Sequence, residues 1–176
     1  MFPYTQAGRK ERTLMAEIKG ITYVRMMLDI LSKKEVQLTA LLKLTAEQEK
    51  ILKESEFDES AFLDLIEKKR EPLQKIEEAD NAFQSIYSRV AEEIKNNKED
   101  YKEQILAMQS LITKVTDLGV MLSVSEEKNR PLLEARLQGK RQYIRQFKVS
   151  KKTADKYYKN MIKMNAGSSY FMDQKK

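Results

Sequence analysis

Apolar and polar positions alternate most regularly between residues 58 and 97. Phe62, Ile66, Lys69, Leu73, Ile76, Asp80, Phe83, Tyr87, Val90 and Ile94 follow one another in steps of four and three without a slip. This is the seam of a coiled coil, sustained for more than four heptads. At about 1.5 Å per residue such a helix is roughly 60 Å long. A helix with one apolar stripe and a charged remainder must bury that stripe against partner helices.

A first helix is predicted from about Thr22 to Glu54, with its seam at Val24, Leu28, Leu31, Glu35, Leu38, Leu42, Thr45 and Leu52. Met27, Ile30, Leu41, Leu44 and Ile51 widen the stripe, so this helix should touch two neighbours. The cluster Met15, Met26 and Met27 reads as helix core, or alternatively as an adaptable binding surface.

Ser55-Glu56-Phe57-Asp58 marks a turn. Asp58 is a favoured N-cap, Glu59 adds negative charge to the first turn, and Phe57 and Phe62 have the spacing of a hydrophobic staple. So short a connection makes the first two helices antiparallel neighbours. Pairing across it places Asp80 near Lys33 or Lys34, and Lys69 near Thr45, where polar seam residues would select the register. Pro72 should bend the second helix at Lys68–Lys69 without breaking it, because the seam stays in phase.

A third helix is predicted after the polar interruption at residues 96–100, with Asn97 as its cap. Tyr101, Ile105, Met108, Ile112, Val115 and Leu122 share one face, and Gly119 is a weak point. From Asn129 on, Leu133, Leu137, Ile144, Phe147, Ala154, Tyr158 and Met161 keep helical spacing, but Pro131 either kinks the helix or opens a new segment. The end is loop-like at residues 166–169 and carries the aromatic patch Tyr170-Phe171-Met172.

The fold class expected is all-α: an elongated antiparallel bundle or coiled coil of about three long helices, followed by an amphipathic, mobile C-terminal segment. Three regions follow: a flexible lead-in over residues 1–21, a helical bundle over 22–128, and a basic segment over 129–176. Lys10-Glu11 is codable as a ribosome-binding sequence, which makes Met15 an alternative start.

Composition sharpens this picture. With 5 Gly and 3 Pro in 176 residues, a sheet-based fold is disfavoured. Charge is unevenly divided: residues 128–176 carry 14 Lys or Arg against 3 acids, a net of +11, and residues 1–127 have a net of −5. Such a split marks the basic end as an interaction segment. No uninterrupted apolar run reaches the length of a membrane span, and no secretory h-region opens the chain. The absence of Cys suits a reducing cytoplasm.

His and Cys are both absent, which removes the usual general base, metal ligands and thiol nucleophile. Adjacent carboxylates such as Glu77-Glu78 and Glu92-Glu93 point to different sides of a helix. No phosphate-cradling glycine loop is present. These features argue against an enzyme, a cofactor or a metal site. The basic segment has two readings: a patch for nucleic acid or anionic membrane, or an amphipathic surface for a protein helix. The second is preferred, because tyrosine and methionine are common at protein interfaces and the lysines fall all round the helical circumference.

Residues 28–81 resemble the FlgN-type flagellar export chaperones, in which a leucine-rich helix, a short acidic turn and a second helix with a basic stretch recur in this order. Here that stretch is Glu67-Lys68-Lys69. Glu127-Lys128-Asn129-Arg130-Pro131-Leu132-Leu133 is similar to the family's asparagine-plus-leucine stretch, and the segment from Tyr157 to Lys176 is similar to the ends of family members. The resemblance, over roughly residues 22–176, implies a cytoplasmic chaperone for hook-associated proteins at the hook–filament junction. It implies delivery of them to the flagellar type III export apparatus, for flagellum assembly, with no small-molecule substrate. The surface that would hold helical termini of the substrate comprises Leu133, Leu137, Ile144, Phe147, Tyr157, Tyr158, Met161 and Phe171. Two other readings stay open: a basic coiled-coil protein docking on anionic membrane or nucleic acid, and a structural bundle acting as a homo-oligomer.

Overall fold

The computed structural model describes residues 6–137 together with Lys152 and Lys156. Four helices follow in order: α1 (Gln6–Lys53), α2 (Glu59–Lys68), α3 (Arg70–Asn96) and α4 (Lys102–Arg136). There is no strand among the described residues. α2 and α3 act as one bent rod, so three arms form the bundle, up, down and up along the chain. α1 is the central arm, with α3 and α4 packed along it.

The core has three clusters along this axis. At one end Val24, Met27 and Leu31 meet Val90, Ile94, Tyr101 and Met108. In the middle Leu38 and Leu41 meet Ile76, Val115 and Leu122. At the other end Leu52 meets Phe62, Leu133 and Leu137. Their order shows that α1 and α4 run together in one direction and the α2–α3 rod runs in the other. Burial of these apolar faces is the main force holding the arms together.

Local chemistry explains the boundaries. The Asp58 carboxylate accepts a hydrogen bond from Ala61 N at 2.9 Å, capping α2 as the sequence predicts. The Phe57 and Phe62 rings lie 5.7 Å apart, closing the staple. The rod bends at Lys69, whose N–H donates to both Leu65 O and Ile66 O at 3.2 Å. Pro72 has no N–H to offer the Lys68 carbonyl, so the ladder is interrupted there. Lys69 nevertheless keeps a right-handed helical conformation (φ −73°, ψ −18°), which preserves the phase of the seam.

Several boundaries differ from the sequence reading. α1 begins at Gln6, so the lead-in expected over residues 1–21 is helical from that point. Its Ala, Arg, Lys, Glu, Leu and Met content supports a helix, and Gly20 is needed within it. A Cβ at Gly20 would collide with the Tyr101 hydroxyl and the Glu93 carboxylate. Asn97 ends α3 instead of starting the next helix: its N–H and side-chain amide both donate to Glu93 O, at 3.0 and 3.1 Å. A turn over residues 97–101 follows, and buried Tyr101 precedes α4. The expected boundary between residues 128 and 129 falls inside α4, which continues through Pro131 to Arg136. Pro131 points outward while Asn129 and Leu133 stay buried, so the seam holds the helix together across it.

Candidate protein-binding surfaces and the buried polar layer

Leu133 and Leu137, expected on a partner-binding stripe, are 4% and 7% exposed and belong to the bundle core. Their apolar contacts are made by Leu52 and Phe62, so in this bundle they offer no surface to a partner. Arg136 locks the same end. Its guanidinium donates to the carbonyls of Leu52 (3.0 Å), Ser55 (3.5 Å) and Glu54, satisfying the orphan carbonyls where α1 ends. Ile144, Phe147, Tyr157, Tyr158, Met161 and Phe171 lie outside the described residues. Lys152 and Lys156 are exposed, and Lys156 Nζ lies 3.0 Å from Glu77 Oε1 on α3.

Polar groups occupy the seam at two levels. At the first, Lys34 Nζ meets Asp80 Oδ1. Burial pushes the Asp80 carboxyl above its ordinary range, and the Lys34 ammonium opposes that shift. The second level lies at the bend in the rod. Lys69 Nζ donates to Glu126 Oε1 at 2.5 Å and to Gln48 Oε1. Thr45 Oγ1 is 2.8 Å from Leu41 O and 3.0 Å from Glu126 Oε1. Asn129 Nδ2 donates to Thr45 O at 2.9 Å, while its buried Oδ1 has no protein partner. Burial lowers the Lys69 pKa from its usual 10.5, and Glu126 partly restores it. An enclosed, hydrogen-bonded ammonium of this kind fixes how the three arms align.

Sequence reasoning had placed Lys69 near Thr45, and the two residues share Glu126. It missed Gln48, Glu126 and Asn129. The signal was available, since 122, 126, 129 and 133 continue the steps of four and three on α4, and 45, 48 and 52 continue the steps of three and four on α1. Polar side chains at these places concealed the stripe. No group of three or more acidic side chains able to hold a metal ion occurs among the described residues.

The methionine cluster divides: Met27 is fully buried, whereas Met15 and Met26 are exposed. Among the described residues, α4 carries four exposed apolar side chains, Leu106, Val120, Met121 and Val124, between 52% and 63% exposed. α4 thus exposes apolar side chains besides its buried seam, and by length and composition it is long and apolar enough to cross a membrane. The sequence reading of uninterrupted runs did not register this, because Lys114 and Asp117 divide the stretch. Here its inner face is packed in the bundle.

These features define an all-α three-arm bundle with buried polar levels and exposed apolar side chains on the outer side of α4. Compared with known proteins, the chain matches no family model, no curated protein and no solved structure.

Proposed function

We propose that the protein is a non-catalytic, helix-binding chaperone of the flagellar export type. In this reading it acts in the cytoplasm, holds helical termini of hook-associated proteins through its basic C-terminal segment, and presents them to the export apparatus. One observation carries the reading: the seams of α1, α2–α3 and α4 match one another from the Gly20–Tyr101 end to the Leu52–Leu137 end. Ile144, Phe147, Tyr157, Tyr158, Met161 and Phe171 follow beyond the last of these contacts, in a stretch rich in lysine. Apolar and aromatic anchors surrounded by soluble charge suit the capture of an amphipathic helix.

The test compares the full chain with one ending at Leu137, using calorimetry against terminal helical fragments of hook-associated proteins. Loss of binding on truncation, with the bundle still folded, is expected. Phe147→Ala with Tyr158→Ala should weaken binding at least tenfold, equivalent to about 1.4 kcal/mol. Replacing Lys151, Lys152 and Lys156 by Gln should have the smaller effect. If the lysine variant fails instead, and binding falls steeply with salt, the segment binds phosphate-bearing surfaces and the chaperone reading is wrong.

A further inference from the structure

On the side of α4 away from the core, Leu106, Ser110, Thr113, Asp117, Val120 and Val124 are all exposed. They follow in steps of four, three, four, three and four, a second coiled-coil seam on a helix whose first seam is already used. The step pattern reads the same in both directions. We propose that this outer face pairs with the same face of a second copy of the chain, antiparallel, about a two-fold axis level with residue 115 and on the side of α4 opposite the buried Val115.

The residue types favour that occupant. In the antiparallel pair Leu106 lies opposite the partner's Val124, and Ser110 lies opposite the partner's Val120. Thr113 lies opposite the partner's Asp117, so polar meets polar at the centre and apolar meets apolar or small toward the ends. The Thr113 hydroxyl, 3.0 Å from Gln109 O, need only rotate to donate to that carboxylate. Charge is complementary too. Lys114 is 59% exposed and only 3.9 Å from Glu35 at its nearest ion pair, and it comes next to the partner's Asp117 twice by symmetry. A parallel pair would instead stack Asp117 on the partner's Asp117, a repulsive contact.

Met121 flanks the seam and adds apolar area on the same side. The seam extends for about 27 Å at 1.5 Å per residue, which places the pair among weak, concentration-dependent associations. Such an interface is isologous, so a two-fold closes it without leading to filaments. This inference is independent of the export reading, which concerns residues beyond Leu137.

Sedimentation equilibrium of the full chain, from about 1 µM to about 1 mM, tests it. The average mass should rise from monomer toward dimer over that range. Val120→Glu with Val124→Glu should weaken association at least tenfold while leaving the melting transition unchanged, since both positions are exposed. The chain has no cysteine, so orientation can be read directly. An oxidised mixture of Leu106→Cys and Val124→Cys chains should cross-link to each other far more efficiently than either does to itself. Like positions in the antiparallel pair are about 27 Å apart, beyond the roughly 7 Å that a disulfide spans between Cα atoms. A monomer throughout the range, a dimer indifferent to the glutamates, or equally efficient cross-linking of Leu106→Cys chains alone would overturn the proposal.

Discussion

Lys34 and Asp80, 46 residues apart in the chain, meet with Nζ and Oδ1 2.5 Å apart, their side chains 1% and 9% exposed. Such a pair loses most of its attraction to desolvation, so its parts are worth more together than alone. Lys34→Met or Asp80→Leu alone should destabilise the bundle by about 3–5 kcal/mol, by leaving an unpaired buried charge. The double variant should be neutral or up to about 4 kcal/mol more stable than the parent. Denaturant unfolding of all four chains measures the coupling, and additive losses would contradict the buried-pair account.

Phe83 offers a contrast. From the sequence it is a mid-seam aromatic, whose loss should outweigh a charge change at Asp80 if the Asp80 pair were solvent-exposed. In the fold Phe83 is half-buried, stacked on Tyr87 with ring centroids 6.3 Å apart, and it is Asp80 that is enclosed. Phe83→Ala should therefore cost less than the roughly 3–5 kcal/mol of a fully buried phenylalanine, and less than Asp80→Leu. A thermal midpoint that falls further for Phe83→Ala would show that this face is packed more deeply.

Gly20 sits where the Tyr101 hydroxyl, 2.8 Å from Glu93 Oε1, crosses α1. Elsewhere in a helix Gly→Ala gains about 1 kcal/mol. Here Gly20→Ala should destabilise, because the enclosed Tyr101 ring has little room to retreat. Adding Tyr101→Phe removes the colliding oxygen and should recover part of the loss. Should the single variant melt higher than the parent, the close approach is not needed.

The end of α4 closes the bundle, and truncation should show it. A chain stopped after Leu137 should keep its melting transition. One stopped at Arg130 loses Leu133 and Leu137, each worth about 2–5 kcal/mol when buried. It also loses the Arg136 hydrogen bonds to the end of α1, and Arg136→Ala alone should cost about 1.5–3 kcal/mol. Equal melting of the two truncated chains would place this end outside the core.

Glu49 predicts an acid response. Hydrogen bonds from Lys128 and Lys53 pull its carboxyl from 4.5 down to about 2. The folded state thus binds fewer protons than the unfolded one in that window, so this stabilisation is complete above 4.5 and is lost as pH falls toward 2. Asp80 works in the opposite sense: its carboxyl is raised from 3.8, so its contribution to stability declines as pH rises through that upper window. Lys53→Gln with Lys128→Gln should flatten the acid limb of a denaturation profile, whereas an unchanged limb would assign it to other carboxylates.

Much of the architecture is local information. The heptads of α2–α3 and α4, the Asp58 cap, the phenylalanine staple and the short turn dictated long antiparallel helices from the chain alone. The same periodicity, counted across the turn, brings Asp80 to Lys33 or Lys34 and Lys69 to the neighbourhood of Thr45, and Pro72 places the bend; the fold selects Lys34. Tertiary structure decided what periodicity leaves degenerate. On α1 the expected Val24, Leu31, Leu38, Thr45 and Leu52 are buried, but the positions alternating with them are Met27, Lys34, Leu41 and Gln48, the first three one place before the expected Leu28, Glu35 and Leu42. A stripe wide enough for two neighbours does not say which of its edges points between them. The expected binding stripe shows the same ambiguity. Leu133 and Leu137 have the spacing of a surface for a foreign helix and equally of a seam for their own bundle. Their burial against Leu52 and Phe62 was decided by how far α4 runs beside α1, a distance set by packing along the whole length of the two helices.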